Sequence, residues 1–234
     1  MKTAYPRLVR TLATAALCAA ACTSSAGSKP DAGGPGGSAG SRGNDAASDG
    51  SGQVASQVVN NGFVTAGPWA GYGFTATDPG AATITPDCSG SAGCVPPFTG
   101  NTFCMQGTVT GRDDYSGFAM LGWNVNQMDG GVAGTWPIPA TGGITVTVSN
   151  PGNTPLRLQL QGTDPHSATD RWCVPLVSGQ LTSWTSFVTN CYTGGTPQTP
   201  LTAGTEIQQA SILVPGLLTN LPFNLCLVDV AITP

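Results

Sequence analysis

The stretch GITVTVSNPGNTPLRLQLQG, Gly143 to Gly162, alternates apolar and polar residues twice, with a break between the two runs. Side chains on a β-strand point to opposite faces in turn, so a period of two marks a strand with one buried face. In the first run Ile144, Val146 and Val148 share one face, and Thr145, Thr147 and Ser149 the other. In the second run Leu156, Leu158 and Leu160 point inward, while Arg157, Gln159 and Gln161 point outward. The intervening PGN is turn chemistry. Each run is a strand with one buried face.

The same texture extends in both directions. Strand signals lie at FVTA (Phe63–Ala66), WAGYGFTAT (Trp69–Thr77), ATITP (Ala82–Pro86), NTFCMQGTVTG (Asn101–Gly111) and SGFAMLGWNVNQ (Ser116–Gln127). Two more close the chain, TEIQQASILVPG (Thr205–Gly216) and FNLCLVDVAIT (Phe223–Thr233). Gly, Pro, Asn and Asp separate these runs. WTSFVTNCY (Trp184–Tyr192) reads equally as a strand or as a Ser/Thr-rich turn. No long segment has helical period, and the one helical turn expected lies within Pro200–Thr205. Eight to ten short strands at this spacing predict an all-β fold, an antiparallel two-sheet β-sandwich of jelly-roll topology.

The N-terminal part is different in kind. Lys2, Arg7 and Arg10 precede a short apolar run from Thr11 to Ala21. This is the layout of a secretory signal, and the run is too short for a spanning helix. Cys22 follows three alanines. The segment resembles the bacterial lipoprotein signal, with Ala19 standing where that pattern usually has Leu. The resemblance implies lipidation of Cys22; simple secretion after Ala19-Ala20-Ala21 is the alternative. Residues 23–53 hold almost no large apolar side chains and cannot build a core. Their Gly/Ser-rich composition predicts a disordered tether with a span of roughly 30 Å. The expected organisation is a signal peptide at 1–21, a lipidated cysteine and tether at 22–53, and a β-sandwich at 54–234. Such a chain is exported and held by its lipid at the outer membrane or cell surface, or else secreted.

Charge narrows the partners of the displayed domain. It contains no lysine and only Arg112, Arg157 and Arg171, against nine acids, for a net charge of −6. Phosphate binding needs clustered cations, so nucleic acid is excluded as a partner. Contact with membrane is expected through the N-terminal lipid only. Six cysteines in an exported domain, Cys88, Cys94, Cys104, Cys173, Cys191 and Cys226, read as three disulfides with fifteen possible pairings. Placement favours three of these. Cys88 and Cys94 flank a turn-forming loop, and Cys173 and Cys191 bracket one segment. Cys104 and Cys226 sit in apolar runs near the two ends of the domain.

The ordered series GPWAGYGF, FCMQGTV, FAMLGWNVNQ, TVTVSNPG, LRLQLQG, RWCVPL, TSFVTNCY, ILVPG and FNLCLVDV resembles secreted bacterial jelly-roll domains of the galactose-binding-domain-like group. Many carbohydrate-binding modules belong to that group. The resemblance covers Gly62 to Thr233 and consists of strand texture and cysteine order, with no catalytic signature. It implies a two-sheet sandwich, often with one structural Ca2+, that binds polysaccharide on a sheet face or at an edge. It also implies a last strand pairing near the first, in keeping with a Cys104–Cys226 bond.

Chemistry-bearing residues are few. Glycoside hydrolysis usually takes two carboxylates at a controlled separation. Asp113 and Asp114 are adjacent, which suits a turn better than an active-site pair, and Glu206 is the sole glutamate. His166 is the sole histidine, and no G-x-S-x-G elbow is present. No catalytic residue is therefore assigned. Asp78, Asp113, Asp114 and Asp229 are the candidate calcium ligands, since hard cations take carboxylate and carbonyl oxygens from loops. Each competes with a plainer role as a turn cap. For sugar binding, Asn124, Asn126, Arg157 and Gln159 would form a polar platform if they share a sheet face, with Trp136 as the aromatic partner. Trp123 and Trp172 are expected in the core. The function expected is non-catalytic binding of a carbohydrate or cell-envelope polymer. The alternatives are a polysaccharide hydrolase and a structural or adhesion lipoprotein without a small ligand.

Overall fold

The computed structural model describes residues 58–78, 80–87, 98, 100–128, 130–164, 167–189, 191 and 198–234. The segments expected as signal peptide and tether, with Cys22, and also Cys88, Cys94 and His166, lie outside the described residues.

Strands are numbered along the chain. The large sheet runs edge to edge through β1 (Val59–Asn60), β2 (Phe63–Ala66), β3 (Trp69–Thr77), β6 (Phe118–Asn124), β14 (Gln209–Pro215), β9 (Arg157–Gln161), β10 (Arg171–Pro175) and β12 (Val188–Thr189). The small sheet runs through β11 (Leu181–Ser183), β8 (Gly143–Ser149), β15 (Leu221–Thr233), β5 (Cys104–Val109) and β4 (Ala82–Thr85). A short ladder joins β7 (Trp136–Pro137) to β13 (Glu206–Ile207). Every paired strand is antiparallel to its partner.

Eight strands carry the jelly roll. In chain order β5, β6, β8, β9, β10, β11, β14 and β15 pass between the sheets. Their spatial order is β6-β14-β9-β10 in one sheet and β5-β15-β8-β11 in the other. This double Greek-key wrapping is the jelly-roll arrangement. β1, β2, β3 and β12 widen the large sheet, and β4 widens the small one. The fold is an antiparallel two-sheet β-sandwich.

The core lies between the sheets. Trp69, Trp123, Leu121, Leu158, Leu160 and Ile212 face it from the large sheet, and Met105, Ile144, Val146 and Leu225 from the small one. Full burial of each such side chain stabilises the fold by about 1.5–3 kcal/mol before entropy is counted. Beyond Trp69, the residues that β3 turns to the core are small, Gly71, Gly73 and Thr75. The reason is close approach: a Cβ on Gly73 would run into the Phe103 ring. Tyr72 and Phe74 are thereby turned to the outer face.

Several local expectations change. Two further strands form beyond the alternating runs, β10 over RWCVP and β11 over LTS. Helical turns lie at Ala168–Asp170 and Trp184–Ser186 rather than within Pro200–Thr205. That latter stretch is a single turn closed by the Thr205 N–H to the Thr202 carbonyl, 3.2 Å. The ambiguous segment at Trp184 divides into a helical turn that buries Trp184 and then β12.

Two disulfides are described. Cys104 and Cys226 face each other directly across the β5–β15 pair, 122 residues apart in sequence. Cys173 on β10 joins Cys191, which follows β12. Both match the placement read from the sequence; the expected Cys88–Cys94 bond lies outside the described residues. Disulfides of this kind are compatible with export, and no helix among the described residues is long and apolar enough to cross a membrane. Loop-closure entropy makes the two bonds unequal. Replacing Cys104 and Cys226 together by alanine is expected to cost about 5 kcal/mol, against about 3 kcal/mol for the Cys173–Cys191 pair. Urea unfolding of the two double variants checks the order; a larger loss at Cys173–Cys191 would contradict it.

Candidate functional site

Strand register defines the outer face of the large sheet row by row. Asn124, Gln209, Gln161 and Arg171 form one row across β6, β14, β9 and β10. Gly122, Ser211, Gln159 and Cys173 form the next, and Met120, Leu213, Arg157 and Pro175 the third. Asn124, Gln159 and Arg157 therefore share a face. Asn126 lies beyond the end of β6.

This face is not an open platform. Leu213 is fully buried and Gln159 is 2% exposed. Leu213 clusters with Cys173 and Cys191, and Phe118 and Met120 pack against them. At Gly122 a Cβ would meet the Phe74 ring at 2.5 Å, so the glycine lets that ring lie over the sheet. The Gln159 amide oxygen is 3.7 Å from the Cys173 sulfur, which carries no proton in its disulfide. The amides nearer the rim are engaged with one another. The Asn124 amide donates to Gln127 Oε1 at 2.7 Å, and Gln209 Nε2 donates to Asn124 Oδ1 at 3.2 Å. Asn126 Nδ2 donates to the Thr135 carbonyl at 2.6 Å. Trp136 is half-buried, edge-on to Trp69 with ring centroids 5.7 Å apart and 6.0 Å from Trp184. It packs against the core cluster instead of standing free in a loop.

The covering ends where β14 ends. There a pocket of about 280 Å3 opens, lined by Tyr115, Pro155, Leu156, Arg157, Pro175, Cys191, Pro215, Gly216 and Leu217. Arg157 is half-buried in it, with Leu213 and Pro175 as its cross-strand neighbours. No hydrogen bond or ion pair joins its guanidinium to another described residue. The other two arginines are occupied. Arg112 donates to the Gly80 carbonyl at 2.9 Å and to Ser116 Oγ at 3.3 Å, and Arg171 is engaged within the fold.

Tyr115 stands at the mouth, 41% exposed, with φ +57°. A non-glycine residue in the left-handed region is uncommon and costs about 1–2 kcal/mol. The loop holds it there from several sides. Asp114 Oδ1 accepts the Ser116 N–H at 3.0 Å, and the Tyr115 N–H donates to the Arg112 carbonyl at 3.0 Å. The Arg112 N–H in turn reaches the Leu217 carbonyl at 3.0 Å. Gly216 nests against the loop so closely that a Cβ would come within 2.6–2.8 Å of the carbonyl oxygens of Tyr115, Ser116 and Gly117. An aromatic ring and a free guanidinium thus flank one apolar hollow. Of the two, sequence reasoning named Arg157 and missed Tyr115. The signal was the lone aromatic of GRDDYSG, a loop too polar to bury it. Pro155, Pro175 and Pro215 were missed as walls because their convergence depends on tertiary register.

A second depression, on the small sheet, is lined by Thr83, Ile84, Thr85, Gln106, Gly107, Thr108 and Phe223. Its described lining offers no exposed aromatic and no charge.

The four aspartates named for calcium do not gather. Asp78 opens the turn whose Gly80 carbonyl meets Arg112, so it lies near the Asp113–Asp114 loop. Asp114 serves as the turn acceptor for Ser116. Asp229 sits at the bulge of β15, paired with Thr147. That is eight residues along the strand from Leu221, about 26 Å at the usual rise. Among the described residues no group of three or more His, Cys, Asp or Glu side chains could hold a metal ion.

The class defined by these observations is a jelly-roll β-sandwich with one apolar, arginine-bearing pocket at the end of its large sheet. No protein-family model matches the chain, and a search of the curated proteins finds no match either.

The loop carries its own test. Hydrogen bonds from the Ser116 hydroxyl and then its backbone N–H hold the Asp114 carboxyl below the ordinary aspartate range, with Arg112 assisting. A depressed value stabilises the folded loop above the ordinary aspartate range, and that contribution disappears as pH falls through the lowered value. Ser116→Ala is expected to raise the Asp114 midpoint in an NMR titration. An unchanged midpoint would contradict the loop geometry.

Proposed function

We propose that the domain binds carbohydrate without catalysis, through the pocket at the Pro215 end of the large sheet. The observation carrying this reading is that Tyr115 and Arg157 line one hollow. A sugar ring presents a C–H face to an aromatic or proline wall and hydroxyls to a planar guanidinium. Both surfaces are available here, and a pocket of about 280 Å3 falls just under the usual small-ligand range. Backbone strain at an exposed aromatic supports the same reading, since such strain concentrates where a side chain is held for a task. The described lining contains no carboxylate, whereas glycoside hydrolysis usually takes two. The resemblance to galactose-binding-domain-like modules agrees with this function. So does the lipoprotein-like segment ending at Cys22, which would display the domain on a tether at the cell envelope. A structural calcium ion stays a proposal resting on that resemblance alone.

The reading is checked on a glycan array with three forms of the full chain. The unaltered protein is expected to retain a small set of glycans. Arg157→Ala is expected to lose at least tenfold in affinity, in line with a charged hydrogen bond. Tyr115→Gly relieves the left-handed strain and adds chain entropy, so stability stays within about 1 kcal/mol while binding falls. Retention of no glycan, or full binding by both variants, would overturn the proposal.

A further inference from the structure

The charge pattern points to a more specific ligand, an inference that rests on the carbohydrate reading above. We infer that the pocket selects a sugar bearing a carboxylate, a uronic acid unit, and that Arg157 is the residue that reads the acid. Arg157 is the only charged side chain among the described lining residues. It is half-buried between Leu213 and Pro175, and its guanidinium has no partner among the described residues. A cation in apolar surroundings gains most from an anion, because the local dielectric is low and no internal carboxylate already neutralises it. The guanidinium fork matches a carboxylate with two parallel N–H···O bonds.

The composition of the domain sharpens this. It carries no lysine and two further arginines, one held by Gly80 and Ser116 and the other engaged within the fold. A domain of net charge −6 repels a continuous polyanion at long range. One arginine in one bounded pocket therefore suits one carboxylate, at the end of a chain or on an otherwise neutral glycan. Tyr115 and the three proline walls would take the apolar face of the ring.

The test is titration calorimetry of the full chain with oligosaccharides ending in glucuronate, galacturonate or mannuronate. Each is compared with its methyl ester and with the corresponding neutral sugar. For at least one of the three, the acid is expected to bind about tenfold or more tighter than its ester. Arg157→Gln is expected to abolish that difference, and Arg157→Lys to keep part of it, as a point charge without the fork. Thermal melting of each variant separates loss of binding from loss of fold. Equal binding of acid, ester and neutral sugar would overturn the uronate inference and leave carbohydrate binding standing. Acetate competing as well as the oligosaccharides would overturn the sugar part and leave an anion site. Binding of none of these saccharides, with glycans retained on the array, would overturn the inference alone; no glycan retained at all would overturn the reading beneath it.

Discussion

The burial of β14 on both faces is the constraint on which the rest of the structure depends. Its inward residues Ala210, Ile212 and Val214 close the inter-sheet core, and its outward Ser211 and Leu213 are equally hidden. A strand sealed on both sides leaves no free central platform on the large sheet. The binding surface must then lie where the covering stops, at Pro215, Gly216 and Leu217. Those are the residues that meet the Tyr115 loop and the start of β9. The location of the pocket thus follows from the packing of the strand that ends in it.

The disulfides act in the same frame. Cys104–Cys226 ties the first and last strands of the jelly roll across directly opposed register positions. Cys173–Cys191 ties the far edge of the large sheet and adds apolar bulk over Leu213. Cys191 also lines the pocket, so one covalent bond contributes both to the outer cover and to the wall of the proposed site.

Much of the fold was legible because its signals are local. The alternation of Ile144, Val146 and Val148 and of Leu156, Leu158 and Leu160 places β8 and β9 facing the core without knowledge of their partners. Arg157 and Gln159 were likewise assigned to the outward face correctly. Whether that face meets water was not legible, because it depends on what lies above it. Gln159 is buried between its cross-strand neighbours Ser211 and Cys173, residues distant in sequence. Asn124 and Asn126 are tied into amide networks, and Trp136 joins an aromatic cluster with Trp69 and Trp184. Tyr115 escaped notice because its importance rests on a backbone angle and on the close approach of Gly216, neither of which leaves a periodic trace.

The most direct measurement is a two-dimensional NMR titration of the full chain with a retained glycan, following backbone amides and the arginine side-chain signals. The account requires the largest shifts at the Arg157 guanidinium, Tyr115, Gly216 and Leu217, with the Asn124–Gln209 rows nearly still. Shifts centred instead on those amide rows, or on Thr83, Thr85 and Thr108 of the small sheet, would contradict it.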